Sequence, residues 1–162
     1  VPQSGAFMLR LKLDATLVLL TLWYEFDTAV RDRGESPPVR LSVKQLNDSL
    51  GHKAGDDALL HIVSVIQEQL RPSDVLARYG GEEFVILLPH SALPEAMDVM
   101  SRLQRELTKR FFLHNNERLL ITFSCGITLR GASEELEPAV SRADRALYQA
   151  KRAGKNRVMT AE

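Results

Sequence analysis

The feature that most constrains this chain is a short hairpin set between two amphipathic helices. Residues 75–76 (VL) and 84–88 (FVILL) are apolar runs joined through 78–83 (RYGGEE). Apolar runs around paired glycines and charged residues read as two antiparallel strands. Upstream, 56–70 (DDALLHIVSVIQEQL) opens on an Asp cap and sets Leu59, Ile62, Val63, Ile66 and Leu70 at steps of three and four. That spacing makes one buried helical face. Downstream, Pro94 opens a helix through Lys109, with Ala96, Met100, Leu103 and Leu107 on its inner side. Helices alternate with strands, but the hairpin demands an antiparallel step, so the sheet is expected to be mostly antiparallel or mixed. A two-layer α+β sandwich follows.

The rest of the chain extends the series. Residues 119–128 (LLITFSCGIT) alternate, with Ile121, Phe123, Cys125 and Ile127 opposite Thr122, Ser124, Gly126 and Thr128. This is the pattern of a half-buried strand. Residues 138–152 turn Val140, Ala143, Leu147 and Ala150 inward, and Gly154 stops that helix. Near the front, 15–24 (ATLVLLTLWY) is apolar but well short of the roughly 20 residues a membrane-crossing helix needs. It reads as a buried strand or helix, and nothing frames it as a signal peptide. Only 32–38 (DRGESPP) has a linker's composition.

At 162 residues the chain fits one domain. Its 21 basic side chains balance 21 acidic ones, which argues against wholesale attraction to nucleic acid or an anionic membrane. A single cysteine, Cys125, can form neither an internal disulfide nor a zinc cluster, and it fits a reducing compartment.

Four clusters could carry chemistry. Gly80 and Gly81 remove side chains where another molecule must come close. The adjacent Glu82 and Glu83 point to opposite faces, and such hard oxygen ligands suit Mg²⁺. Read alone, the same residues also fit an exposed acidic hairpin. In 47–56 (NDSLGHKAGD), Asn47 and Asp56 supply an amide and a carboxylate able to read a guanine edge, with Gly51 and Gly55 marking turns. The plainer alternative makes Asp56 a helix cap and Asn47 a turn former. His52 sits in the same segment and lacks a second histidine at ligand spacing. In 151–157 (KRAGKNR), Lys151 and Lys155 are either a solvated basic helix end or a clamp for a triphosphate. Arg71 and Asp74, in the RPSD loop, could form a surface ion pair worth little by itself.

In their order and spacing these clusters resemble one family. The run Arg78-Tyr79-Gly80-Gly81-Glu82-Glu83-Phe84 is similar to the signature of the GGDEF domain in its GGEEF form. Residues 44–56 (KQLNDSLGHKAGD) resemble that family's FKxxNDxxGHxxGD segment without its leading Phe. Residues 121–126 (ITFSCG) resemble its VTxSxG strand, and 143–156 (ADRALYQAKRAGKN) its ADxALYxAKxxGRN helix. The likeness runs from 44 to 157, so 44–162 is expected to be the domain core and 1–43 a divergent N-terminal segment of the same domain.

The resemblance implies a ferredoxin-like palm, with a mostly antiparallel sheet flanked by helices, as in adenylyl cyclases. It implies a diguanylate cyclase, a nucleotidyltransferase that condenses two GTP into cyclic di-GMP and releases pyrophosphate. A homodimer would bring the two GTP together, and Mg²⁺ or Mn²⁺ would be the cofactor. By carry-over, Asn47 and Asp56 recognise guanine, Gly80 and Gly81 admit the nucleotide, and Lys151 and Lys155 grip its phosphates. Lys44 and His52 fall in the same binding segment. Glu82 ligates the metal and helps deprotonate the attacking 3′-hydroxyl, and Glu83 supports that turn or a second metal. Arg71 and Asp74 match the family's RxxD product-inhibition site for cyclic di-GMP. An upstream sensor domain outside this chain and a cytoplasmic location are further expectations. A rival class is a catalytically impaired domain that senses GTP or cyclic di-GMP.

The front third departs from the family, whose first strand ends in DxDxF just before the residue here numbered Lys44, with its first Asp a main metal ligand. Here 39–43 (VRLSV) offers neither carboxylate nor aromatic. Two placements arise. In the preferred one, 26–30 (FDTAV) is the helix preceding that strand, and most of the strand is missing. In the other, 17–26 (LVLLTLWYEF) is the strand, an insertion follows through residue 43, and Glu25 or Asp27 stands in for the missing carboxylate.

Overall fold

The apolar run near the front of the chain is the central strand of the sheet. The computed structural model describes residues 15–26, 40–80 and 82–161. In it β1 (Ala15–Phe26) pairs antiparallel with β4 (Glu83–Pro89) on one side and β6 (Glu117–Arg130) on the other. The preferred placement of the front third is therefore overturned, because the first strand is present and spans 12 residues. Its apolar run does not alternate because both of its faces are covered. Val18, Leu20 and Leu22 lie in one hydrophobic core, and Ala15, Leu17 and Leu19 in a second.

The described strands form one sheet in the order β3-β4-β1-β6-β5, with β3 at Val75–Arg78 and β5 at Phe112–His114. Strand β2 (Arg40–Leu41) adds to β1, and β7 (Val158–Ala161) adds to β6 in the one parallel pairing described. The expected hairpin is β3–β4, antiparallel from Val75↔Leu87 to Arg78↔Phe84. Strand, helices, hairpin, helix, strand is the ferredoxin-like succession, and the palm fold is as expected.

Helices α1 (Val43–Leu50), α2 (His52–Gln69) and α3 (Leu93–Lys109) cover one face. They contribute Leu46, Ile62, Ile66, Met100, Leu103 and Leu107 to the first core. Helix α4 (Leu136–Arg152) covers the opposite face through Leu136, Ala139, Ala143 and Leu147. The expected two layers are thus three. Amphipathic spacing tells which side of a helix is buried but not which side of the sheet receives it. Strand β6 is correspondingly buried on both faces rather than one, with Thr122, Ser124 and Thr128 each at most 6% exposed. Gly126 lets α4 approach, since a Cβ there would lie 2.0 Å from the Ala143 carbonyl oxygen.

The second helix also begins earlier than its Asp suggested. Gly51 (φ 92°) links α1 to α2, and Asp56 falls inside α2 rather than capping it. Asn47 lies within α1 and is no turn former, while Ser42 caps α1 through a capping box with Gln45.

Candidate functional site

The diglycine turn is closed by its own backbone. Tyr79 N and Gly80 N both donate to the Glu83 carbonyl, at 2.8 and 3.2 Å, and Arg78 Nε donates to Gly80 O at 3.0 Å. On the other flank Leu22 N donates to Glu82 O at 3.1 Å, which carries the β1–β4 pairing into the turn. Gly81 lies outside the described residues. Adjacent strand residues face opposite ways, and Glu83 lies toward α4, where Lys151 Nζ stands 3.9 Å from Glu83 Oε1 with both side chains about one-third exposed. Such a pair adds little stability and serves to place the two groups.

The α1–α2 contact makes a notch where Asn47 meets Gly55, the residue before Asp56. Gly55 is buried inside α2, where a Cβ would come within 2.0 Å of Asn47 Oδ1. Gly55 is therefore a close-approach position and not the turn its sequence context suggested. Asn47 Oδ1 is buried and accepts no hydrogen bond. Leaving such an acceptor unpaired costs about 1–3 kcal/mol, a cost that a donor from a bound molecule would relieve. Asp56 is exposed one residue beyond Gly55, and Lys44 and His52 are exposed at the first turns of α1 and α2.

Lys155 is fixed by the loop after α4. Lys155 and Asn156 are left-handed (φ 64° and 46°). Lys155 N bonds Ala150 O at 3.0 Å, and Asn156 N donates to Ser124 Oγ at 3.1 Å, pinning the loop to β6. Its ammonium lies 4.1 Å from the centre of the Trp23 ring, a contact worth about 0.5–1 kcal/mol when exposed and about 2 when desolvated. Trp23 was not anticipated as a site residue. The available signal was that the chain's one Trp stands where a run of mostly aliphatic residues gives way to Tyr24.

Arg71 and Asp74 form a second cluster, at the end of β3 away from the turn. Arg71 Nη2 donates to Asp74 Oδ1 at 3.0 Å, Pro89 O at 3.0 Å and Ser91 Oγ at 2.9 Å. Arg71 N meets Asp74 Oδ2 at 2.8 Å. The hydrogen bond to Asp74 raises the Arg71 pKa above its usual value. A cavity of about 140 Å³ beside the pair is lined by Ser91, Glu95 and Arg102 among others.

The structure thus joins Glu83, Lys151, Lys155 and Trp23 on the α4 side, and Asn47, Gly55 and Asp56 between α1 and α2, with Glu82 at the turn. A divalent ion finds less. Mg²⁺ takes carboxylates together with phosphate oxygens, but among the described residues no group of three or more His, Cys, Asp or Glu could hold a metal ion. Glu82 and Glu83 are consecutive, Glu83 meets Lys151, and Trp23 occupies β1 one residue beyond the bond to Glu82 O. The described residues do not make a metal site by themselves. Asp27 lies outside the described residues, as does the Glu25 side chain.

Comparison with known proteins places this arrangement. The family model described as "Diguanylate cyclase, GGDEF domain" matches residues 42–157. Diguanylate cyclase DgcP of Pseudomonas aeruginosa is 43% identical over 118 residues, covering 73% of this chain and 18% of that protein. Diguanylate cyclase A of Treponema denticola is 35% identical over 116 residues, covering 71% of this chain and 31% of that protein. The chain therefore spans less than a third of these relatives. Among solved structures, the GGDEF domain of DgcB from Caulobacter crescentus, in complex with c-di-GMP, superposes with a TM-score of 0.70 at 30% identity, over 91% of this chain and 78% of that one. The GGDEF domain of PA1120 (YfiN or TpbB) from Pseudomonas aeruginosa gives 0.77 at 27% identity, over 100% and 97%.

Proposed function

The chain belongs to the diguanylate cyclase GGDEF domain family, and from that premise we propose that it binds GTP and condenses two molecules into cyclic di-GMP. The observation that carries this is the unpaired Asn47 Oδ1, which packs where Gly55 lacks a side chain. A guanine edge presents N–H donors to such an acceptor, and Asp56 beside it accepts the remainder. Lys151 and Lys155 meet the phosphate tail. In the reaction the 3′-oxygen of each GTP forms a bond to the α-phosphorus of the other, the bond from each α-phosphorus to its bridging oxygen breaks, and two pyrophosphates leave. Glu82 takes the hydroxyl proton, and the lysines stabilise the negative leaving group. A homodimer that sets two sites face to face converts the encounter into a positioned one.

Arg71 and Asp74 serve as the product-binding pair, where cyclic di-GMP lowers activity. Its support is a guanidinium already held in place by three acceptors.

A second reading has its own observation. With Trp23 next to the turn and no metal-holding cluster among the described residues, the domain would bind nucleotide without turning it over. Incubation with GTP and Mg²⁺ or Mn²⁺, followed by chromatography of the nucleotides, separates the two. Cyclic di-GMP that is absent in Glu82→Gln supports the cyclase. Nucleotide binding with no product supports the sensor, and no binding at all defeats both.

A further inference from the structure

On the α4 face, the end of β1 carries polar atoms that the protein leaves unsatisfied. Thr21 Oγ1, Trp23 Nε1 and Thr122 Oγ1 are buried without a hydrogen-bond partner, and Thr21 and Thr122 are only 2% and 6% exposed. Alternation puts Thr21 and Trp23 on one face of β1, and Thr122 is the register partner of Trp23 on β6. Lys155 Nζ lies 4.1 Å from the Trp23 ring centre. Buried donors are nearly always paired in native proteins, so three orphans side by side call for an absent partner.

The chemistry of the group selects that partner. Hydroxyls, an indole N–H and an ammonium suit an anion with several acceptor oxygens, and a phosphate is such an anion. A divalent cation placed there would face the indole N–H and the ammonium, and the carboxylate opposite Thr21 on this face, Glu83, is already met by Lys151. The geometry points to Trp23 and Lys155, over Thr21 and Thr122, as the holders of the nucleotide's phosphates in place of a divalent ion, so that GTP binds this domain without metal. This rests on the assignment of Lys155 as a phosphate-binding residue made above. Trp23 acts in two ways there: its N–H faces the phosphate, and its ring face parks the Lys155 cation at the phosphate end until nucleotide arrives.

Trp23 is the chain's only tryptophan, so its emission reports the contact directly. GTP titrated into the purified chain in excess EDTA is expected to change that emission, with an affinity within about threefold of the Mg²⁺ value. By calorimetry, Trp23→Leu should weaken GTP about three- to tenfold and leave guanosine unchanged, with Trp23→Phe, which restores the ring face but not the N–H, recovering only part of the loss. Lys155→Met covers the case in which Trp23→Leu fails to fold, and it should show the same selective loss. If EDTA weakens GTP about tenfold or more, or if Lys155→Met weakens GTP and guanosine equally, the inference is overturned while the guanine notch stands. If GTP binds under neither condition, the nucleotide-site assignment itself falls.

Discussion

The two ends of the β3–β4 hairpin treat their polar groups in opposite ways. At the Arg71 end the guanidinium is spent on Asp74, Pro89 and Ser91 inside the protein, and the Asp74 side chain is only 3% exposed. Around the turn, by contrast, Thr21, Trp23 and Thr122 keep buried atoms with no partner, as does Asn47 between α1 and α2. The Arg71 cluster is therefore complete before any ligand comes and presents a fixed charge. The groups around the turn are incomplete until something binds. A site of the first kind changes little on binding, whereas one of the second kind should be stabilised by its ligand.

The largest effect expected is at the turn. Glu82→Gln should reduce cyclic di-GMP formation about a hundredfold or more, read by chromatography, while GTP affinity stays near the unsubstituted value. Residual activity close to that of the unsubstituted chain would remove Glu82 from the chemistry. At the other end, Arg71→Ala should weaken cyclic di-GMP about tenfold or more, as loss of a charge-assisted contact does, with GTP affinity unchanged in the same titration. Since this substitution leaves the buried Asp74 without its cation, Arg71→Lys is the control for folding. Equal product affinity in both variants and the parent would sever the RxxD pair from product binding.

Gly55→Ala tests whether the orphaned Asn47 amide is a binding group. The added Cβ overlaps Asn47 Oδ1 at 2.0 Å, but that atom ends a short side chain that can swing aside, and Ala gains about 0.5–1 kcal/mol over Gly inside a helix. Stability by urea unfolding should thus move by less than about 1 kcal/mol, while GTP affinity falls about tenfold. A large stability loss with intact affinity would make the Asn47–Gly55 contact a packing device only.

The local patterns were legible in the sequence: the hairpin, the inner faces of α2, α3 and α4, and the diglycine turn all depend on near neighbours. What escaped was long-range or double-valued. The run at 15–24 has no alternation because α4 covers one side of it and α1–α3 the other, so its period could not say strand. Gly55 looked like punctuation before an Asp cap, yet its job is to admit Asn47 from another helix. Trp23 and Lys155 lie 4.1 Å apart in space but at opposite ends of the sequence, and no motif links them.

The smallest effect expected separates satisfied pairs from functional ones. Arg142 on α4 donates to both Glu134 oxygens, to Thr128 Oγ1 at 3.1 Å and to Leu129 O at 2.8 Å, so this cluster is as complete as that of Arg71. The hydrogen bond from Arg142, chiefly, holds the Glu134 carboxyl below its ordinary value of 4.5. A carboxyl depressed in the folded state contributes stability above its unfolded pKa and loses it as pH falls through the folded one. Both side chains keep a fifth to a quarter of their surface exposed, so screening limits the contribution to about 1 kcal/mol or less. Urea unfolding from neutral pH down to about pH 3.5 should show this loss in the parent and a flatter profile in Glu134→Gln. Affinities for GTP and cyclic di-GMP should be the same in both. If Glu134→Gln instead weakened either nucleotide, a pair saturated within the protein would be part of the binding machinery, and the contrast between complete and incomplete polar clusters would lose its meaning as a guide to where this domain binds.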